Sequence, residues 1–261
     1  MFSSSLLSKP FLIIAHRGGA GLWPENTLYA LQQAAELGAD LSEIVSRDGV
    51  LVVIHDETLE RTTNGQGRVQ DFTFAALKKF DAGYHWTQDG GHTFPFRGQG
   101  LTIPSLVEVF DALPEKPFNI EIKQSTPPLL AALRDVIHKY AKTQRILVSA
   151  FNPRVMKVFR RLCPRVATAA HDDEIRQLAK MSRFCLENFL NLKADRLEVP
   201  YSIVKTRLIH AAHKLGKRID VWTVNETKVM QSLIDWGVDG ILTDFPDRLL
   251  KLRHADPPVQ S

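Results

Sequence analysis

Cysteine is scarce in this 261-residue sequence: only Cys163 and Cys185 occur, with no CxxC spacing and no Cys/His cluster. That excludes a disulfide framework and a zinc site of the finger type, and both thiols are expected to be buried. Long apolar runs are also missing, and nothing approaches the roughly eighteen residues that a membrane helix needs. The stretch MFSSSLLSKPFLIIAHRGG has no basic n-region and only a short apolar segment. It reads as a first strand and not as a signal peptide, so a cytoplasmic, reducing location is expected. Neither sign of charge dominates, since 33 Lys and Arg against 29 Asp and Glu leave a net +4. Such a balance helps attract an anion, but no finger, helix-turn-helix or aromatic-basic repeat accompanies it, so no nucleic-acid partner is expected.

What remains is ordinary globular composition, 44% hydrophobic and 24% charged, in a length that suits one (β/α)8 barrel of about 250 residues. Short apolar, β-rich runs alternate with helix-like stretches. Eight strands are expected at Phe11–Ala15, Ala39–Ile44, Phe118–Ile122, Ile146–Ser149, Val166–Ala169, Arg196–Val199, Ile219–Thr223 and Gly240–Thr243. Periodic segments such as Thr27–Leu37, Leu129–Ala141, Pro153–Leu162, Thr206–Leu215 and Lys228–Trp236 supply outer helices. Asn26 is expected to cap the first of them and Gly38 to give its left-handed exit. Residues 1–261 thus form a single barrel domain in which 46–103, too long for an ordinary connection, is an insertion. Within it, Val50–Ile54 reads as a short strand after the Asp48-Gly49 turn, and the tail from His254 reads as frayed.

Barrel chemistry gathers where the strands end at their C-termini. Strand one runs into His16-Arg17-Gly18-Gly19, strand two carries Glu43, strand three carries Glu121 and Lys123, and the insertion presents His55-Asp56. Two histidines, two carboxylates and two cations would share one mouth. Phosphodiester cleavage asks for such a set: imidazoles able to move protons near neutral pH, a planar arginine fork and a lysine point charge for phosphate oxygens, and carboxylates for a divalent cation. Taken singly, each has a structural reading, and Glu121-Ile-Lys123 is equally an alternating strand face with an ion pair. Trp222, Trp86, Phe94 and Phe96 read as core or lid residues. His85, His92, His138, His171, His210, His213 and His254 are expected to be structural or solvent-facing.

The succession of motifs resembles the glycerophosphodiester phosphodiesterase family. It comprises His16-Arg17-Gly18-Gly19, Pro24-Glu25-Asn26-Thr27, His55-Asp56, Arg61-Thr62-Thr63-Asn64-Gly65, Asp81-Ala82-Gly83 and Ile103-Pro104-Ser105-Leu106. Glu121-Ile122-Lys123, Trp222-Thr223-Val224-Asn225, and Gly237-Val238-Asp239-Gly240 through Thr243-Asp244 complete it. The resemblance implies a TIM barrel with an insertion after strand two and a divalent ion, Mg or Ca. It implies His16 and His55 as the catalytic acid and base, Arg17 and Lys123 on the substrate phosphate, Trp222 beside the substrate, and Glu43 and Glu121 on the metal. The partner would be a small phosphodiester, cleaved to glycerol 3-phosphate and an alcohol.

One segment departs from the family. Its second strand carries Glu-x-Asp, with both side chains on one face. Here Glu43-Ile44-Val45 has valine in the third place, and Asp48-Gly49 arrives about three residues early. Counting back from Asp48-Gly49 would instead set Asp40 and Ser42 at the pair. Weaker cation binding and reduced activity are expected, with water, Asp40 or Asp56 as possible substitutes. Two other readings stand beside hydrolysis of glycerophosphodiesters. One is a lysophospholipase D type, motivated by Trp86, Phe94 and Phe96; the other is a catalytically silent phosphodiester-binding protein, motivated by the missing Asp.

Overall fold

Alternation along each strand decides which residues reach the interior. A computed structural model describes residues 9–47, 50–123, 127–140, 143 and 145–255, and side chains there except those of 40–47, 127–128 and 254–255. Its strands are β1 Leu12–Ala15, β2 Asp40–Arg47, β3 Val50–Val52, β4 Phe118–Ile122, β5 Ile146–Ser149, β6 Ala167–Thr168, β7 Arg196–Pro200, β8 Arg218–Trp222 and β9 Gly240–Thr243. Its helices are α1 Leu28–Glu36, α2 Phe74–Leu77, α3 Leu106–Ala112, α4 Pro127–Lys139, α5 Pro153–Leu162, α6 Asp172–Ser182, α7 Thr206–Lys214, α8 Thr227–Asp235 and α9 Pro246–Ala255.

The sheet runs β6-β5-β4-β2-β1-β9-β8-β7, with β3 antiparallel on β2 and the other pairs parallel. Its two end strands meet through one parallel bridge, Ala169 to Arg196. Two backbone bonds flank that bridge, Asp195 N to Thr168 O and Ala170 N to Arg196 O, each 2.8 Å. Eight parallel strands with helices outside form the expected (β/α)8 barrel.

Outward-facing residues such as Ile120, Ile146, Val148, Leu197, Val199, Ile219 and Val221 join two large apolar clusters under the helices. Inward-facing Leu12, Ile14, Leu147, Ala167, Ala169 and Leu242 make a smaller plug inside the ring. Beside it Arg196 and Asp220, both fully buried, form a two-point ion pair with Arg196 Nε 2.5 Å from Asp220 Oδ2. Gly240 has no side chain because a Cβ there would strike Asp220 Oδ1. The inner layers are thus filled from below, and the space left open is at the strands' C-terminal ends.

Glu43 lies on β2. Ser42 pairs with Asn119 and Ile44 with Ile122, so one residue on β2 stands against two on β4, Ile120 and Glu121. This bulge sets the backbone of Glu43 opposite that of Glu121. Beyond it, Val45, Ser46 and Arg47 pair with Val52, Leu51 and Val50 in the hairpin that the Asp48-Gly49 turn suggested.

Several expectations are corrected. Thr27, not Asn26, caps α1, accepting from Ala30 N at 3.1 Å, while Asn26 is buried with φ of 59°. The helices α2, α3, α6 and α9 had not been singled out; α9 includes His254 and Ala255, and the rest of the tail expected to be frayed lies outside the described residues. Cys163 is buried, which pushes its thiol up to about 11, but Cys185 is exposed. Gly38, with φ of 87°, does give the left-handed exit. No helix among the described residues is long and apolar enough to cross a membrane.

Candidate active site

The first βα turn builds one wall. After β1 the chain passes through Arg17, Gly18 and Gly19, all at positive φ (54°, 77° and 86°), a path that two glycines make affordable. The reversal leaves His16 and Arg17 at the barrel mouth. His16 Nδ1 lies 2.7 Å from Asp244 Oδ1, just past β9, and Asn225 Nδ2 donates to Asp244 Oδ2 at 2.7 Å. A carboxylate only accepts, so Nδ1 carries the proton. Burial opposes ionisation of Asp244, but the His16 and Asn225 bonds and the nearby Arg17 charge outweigh it and hold this carboxyl below its usual range.

His55 repeats the arrangement from the far side, with Nδ1 2.6 Å from Asp56 Oδ1. Burial works against the Asp56 charge, yet bonds from Arg61 and His55 lower its pKa to about 2. His55 Nε2 sits 3.3 Å from Lys123 Nζ, and since an ammonium only donates, that nitrogen is an acceptor. The two imidazole centres are 6.4 Å apart at an interplanar angle of 79°. Lys123 Nζ also pairs with Glu121 Oε2 at 2.5 Å, both side chains being less than one-fifth exposed.

These residues line one cavity of about 320 Å³, together with Asn119, Ser149, Phe151, His171, Glu198, Trp222 and Thr223. Of the site residues expected from sequence, His16, Arg17, His55, Glu121, Lys123 and Trp222 come together there. The side chain of Glu43 lies outside the described residues. Asp56, one suggested substitute ligand, is already engaged by His55 and Arg61. His171 had been set aside as structural, yet it lines the cavity at the start of α6.

Trp86, Phe94 and Phe96 do the reverse of what a lipid groove requires. Trp86 donates to Ala20 O at 3.0 Å and packs edge-on against Phe96, which also meets Tyr29, while Arg97 stacks on Phe94. They pin the chain after β3 onto the barrel. The apolar surface of the cavity comes instead from Phe151, Ile175, Trp222 and Leu242. Phe151 is half exposed and meets Trp222 edge-on at 6.0 Å.

Sequence reasoning missed Asn119, Ser149 and Glu198. Their signal was alternation: Asn119, Glu121 and Lys123 share the inward face of β4, and Ser149 and Glu198 share those of β5 and β7. Asn119 Nδ2 donates to Glu198 Oε1. Burial, the Asp220 charge and the Glu121 charge push the Glu198 carboxyl up to about 8, against the pull of hydrogen bonds with Asn119 and Ser149.

A parallel (β/α)8 barrel that gathers two carboxylate-braced histidines, an arginine and a lysine around one mouth has the make-up of a hydrolase. The chain belongs to the glycerophosphoryl diester phosphodiesterase family, whose model matches residues 16–248. It is 36% identical over 249 residues to a glycerophosphodiester phosphodiesterase of Caldanaerobacter subterraneus subsp. tengcongensis, covering 92% of this chain and 97% of that one. Among solved structures it resembles a putative glycerophosphoryl diester phosphodiesterase from Silicibacter pomeroyi, with TM-score 0.80, 23% identity, and 97% and 99% of the two chains covered. A phosphodiesterase of Oleispira antarctica in complex with the product sn-glycerol-3-phosphate gives TM-score 0.75 at 24% identity, covering 94% and 97%.

Proposed function

We propose that this chain hydrolyses glycerophosphodiesters to glycerol 3-phosphate and an alcohol, with His16 and His55 as its acid and base. The observation that carries the reading is the facing pair of imidazoles, each braced at Nδ1 by its own carboxylate, 6.4 Å apart beside Arg17 and Lys123. Arg17 and Lys123 would hold the phosphate oxygens, and Trp222 would flank the substrate. Bracing fixes each tautomer, so that Nε2 of one ring can take a proton while Nε2 of the other, once protonated, gives one. The relative from Caldanaerobacter, named for this activity, supports the assignment.

A divalent cation, Mg or Ca, belongs to the same reading. Oxygen donors suit such an ion: the Glu121 carboxylate faces the cavity, and Asn119 Oδ1 is buried there without a hydrogen-bond partner among the described residues. Among the described residues no three His, Cys, Asp or Glu side chains form a metal cluster. Glu43, whose backbone lies at the β2–β4 bulge, is the second carboxylate of this reading. When bound, the ion would polarise a phosphoryl oxygen. The domain reading goes with this one: a single barrel over 1–261, with 46–103 as the insertion that brings His55.

The test is release of glycerol 3-phosphate from glycerophosphocholine by the purified chain, with Mg, with Ca and with chelator. Cation-dependent release is the expected result. Tight binding of the diester without metal and without turnover would reject hydrolysis in favour of a silent binding protein.

A further inference from the structure

The face opposite the mouth carries apolar side chains that the barrel core does not take up. A parallel barrel gathers its helix C-termini and strand N-termini there, and the chain between α6 and β7, residues 183–195, runs across that face. Phe189 and Phe184, 81% and 67% exposed, are the two most exposed large apolar side chains among the described residues, and Leu186 between them in sequence is 41% exposed. A hydrogen-bonded backbone holds them out. Leu186 N donates to Met181 O at 3.0 Å, Phe189 N to Leu186 O at 3.1 Å and Leu190 N to Glu187 O at 2.9 Å. On the inner side Glu187, buried at the start of the 3-10 turn Glu187–Phe189, accepts from Lys214 Nζ at the end of α7 at 2.8 Å.

Charge of one sign surrounds these side chains. Lys180, Arg183 and Lys193, with Arg161 and Arg165 at the neighbouring end of α5, are exposed, and none forms an ion pair among the described residues. From Lys180 to Asp195 the carboxylates are Glu187, engaged by Lys214, and Asp195, which accepts from Thr168 N at 2.8 Å. The helices on either side, α5 and α7, contain no Asp or Glu. Exposed aromatics among cations match a bilayer surface, with anionic headgroups above an apolar interior. A second copy of this chain would bring the same cations to the contact, and like charges set face to face oppose it. We propose that this face docks on an anionic lipid surface, with Phe184 and Phe189 entering the acyl region and Lys180, Arg183 and Lys193 on the headgroup phosphates. The inference does not depend on the hydrolase reading. It leaves the mouth turned to water, so that diesters in solution reach the site while the chain is docked.

The experiment is co-sedimentation of the full chain with vesicles of phosphatidylcholine alone and of phosphatidylcholine mixed with phosphatidylglycerol. Each cation at an anionic surface multiplies affinity about fivefold, so three give the mixed vesicles an advantage on the order of 100-fold, falling as salt is added. Arg183→Glu with Lys193→Glu should remove most of that advantage. Phe184→Ser with Phe189→Ser should weaken binding to the mixed vesicles by at least about 10-fold. Both pairs are exposed, so the thermal midpoint should hold, which shows that the variants fold. Cys185 lies between Phe184 and Leu186 and is exposed, whereas Cys163 is buried, so reaction with a water-soluble maleimide reports on this face alone. Its rate should fall sharply on the mixed vesicles. No binding, or equal binding to the two vesicle types, overturns the proposal. So does vesicle binding that leaves the Cys185 rate unchanged, which would assign the contact to another surface. A concentration-dependent dimer that the phenylalanine variant abolishes would overturn it in favour of a second copy.

Discussion

Arg61 closes a two-point clamp on Glu25, its two terminal nitrogens each 2.7 Å from a carboxylate oxygen. The same guanidinium reaches Asp56 through Nε at 2.5 Å, and Glu25 in turn takes Arg17 Nη1 at 3.2 Å. Charges of alternating sign therefore run from Asp56 through Arg61 and Glu25 to Arg17, tying a histidine that follows β3, through the carboxylate it bonds, to an arginine that follows β1. A planar fork serves this better than a lysine, which cannot hold two carboxylates in fixed geometry.

Arg61→Lys is accordingly expected to lower kcat/KM for glycerophosphocholine by about 10-fold, since small misplacements of reacting groups are costly. Because Arg61 is half exposed, its thermal midpoint should barely move. Steady-state kinetics beside a melting curve decide between positioning and structure: unchanged kcat/KM removes the positioning role.

Asp244→Asn bears on the other histidine. An amide can donate to His16 Nδ1 and so favour the tautomer that turns the protonated nitrogen toward the cavity. Turnover is expected to fall by about 100-fold or more, with a smaller change in KM. Equal turnover across the pH range would show that His16 does not depend on Asp244 for its proton.

Glu198 carries a stability signature. Its folded carboxyl is raised from 4.5 to about 8, so its contribution is fully present below pH 4.5 and is lost as pH rises through 8. Metal-free wild type should therefore lose stability between pH 5 and pH 8.5, by an amount on the order of a few kcal/mol. Glu198→Gln, which has no proton to lose, should lose much less. Urea unfolding at the two pH values measures the difference, and parallel curves for the two proteins would contradict the raised value.

Phe96 separates the two enzyme readings. It packs against Trp86 and Tyr29, away from the cavity lining. Phe96→Ala should cost about 3 kcal/mol of stability. The ratio of lysophosphatidylcholine to glycerophosphocholine turnover should stay as in wild type. A selective loss of lysolipid activity would restore these aromatics as a lipid groove.

The strands were readable because β5 and β9 stand out as apolar runs and β4 as an apolar-polar alternation, and their expected bounds match the observed ones. His16, His55, Glu121 and Lys123 were readable because they end such runs in long motifs. Glu198 was not. It sits inside Arg196–Pro200, where an inward glutamate looks like any polar residue of an alternating strand until the partner across the barrel, Asn119, is known. The cap was misassigned for a different reason. Asn26 and Thr27 are both good capping residues, and only backbone geometry, positive φ at Asn26 against extended φ at Thr27, separates them. The α6 helix was hidden by its composition, since Asp172-Asp173-Glu174 reads as solvated chain, whereas in the fold it is an acidic first turn whose Glu174 takes both terminal nitrogens of Arg160.

The seam between β6 and β7 has one further consequence. Between β6 and β7 the ring of eight strands is fastened by a single bridge and two flanking bonds, whereas each other neighbouring pair shares at least two register positions. Local opening starts where the fewest bonds must break, so in hydrogen exchange the amides of Ala170 and Asp195 are expected to be less protected than those within the other strand pairs.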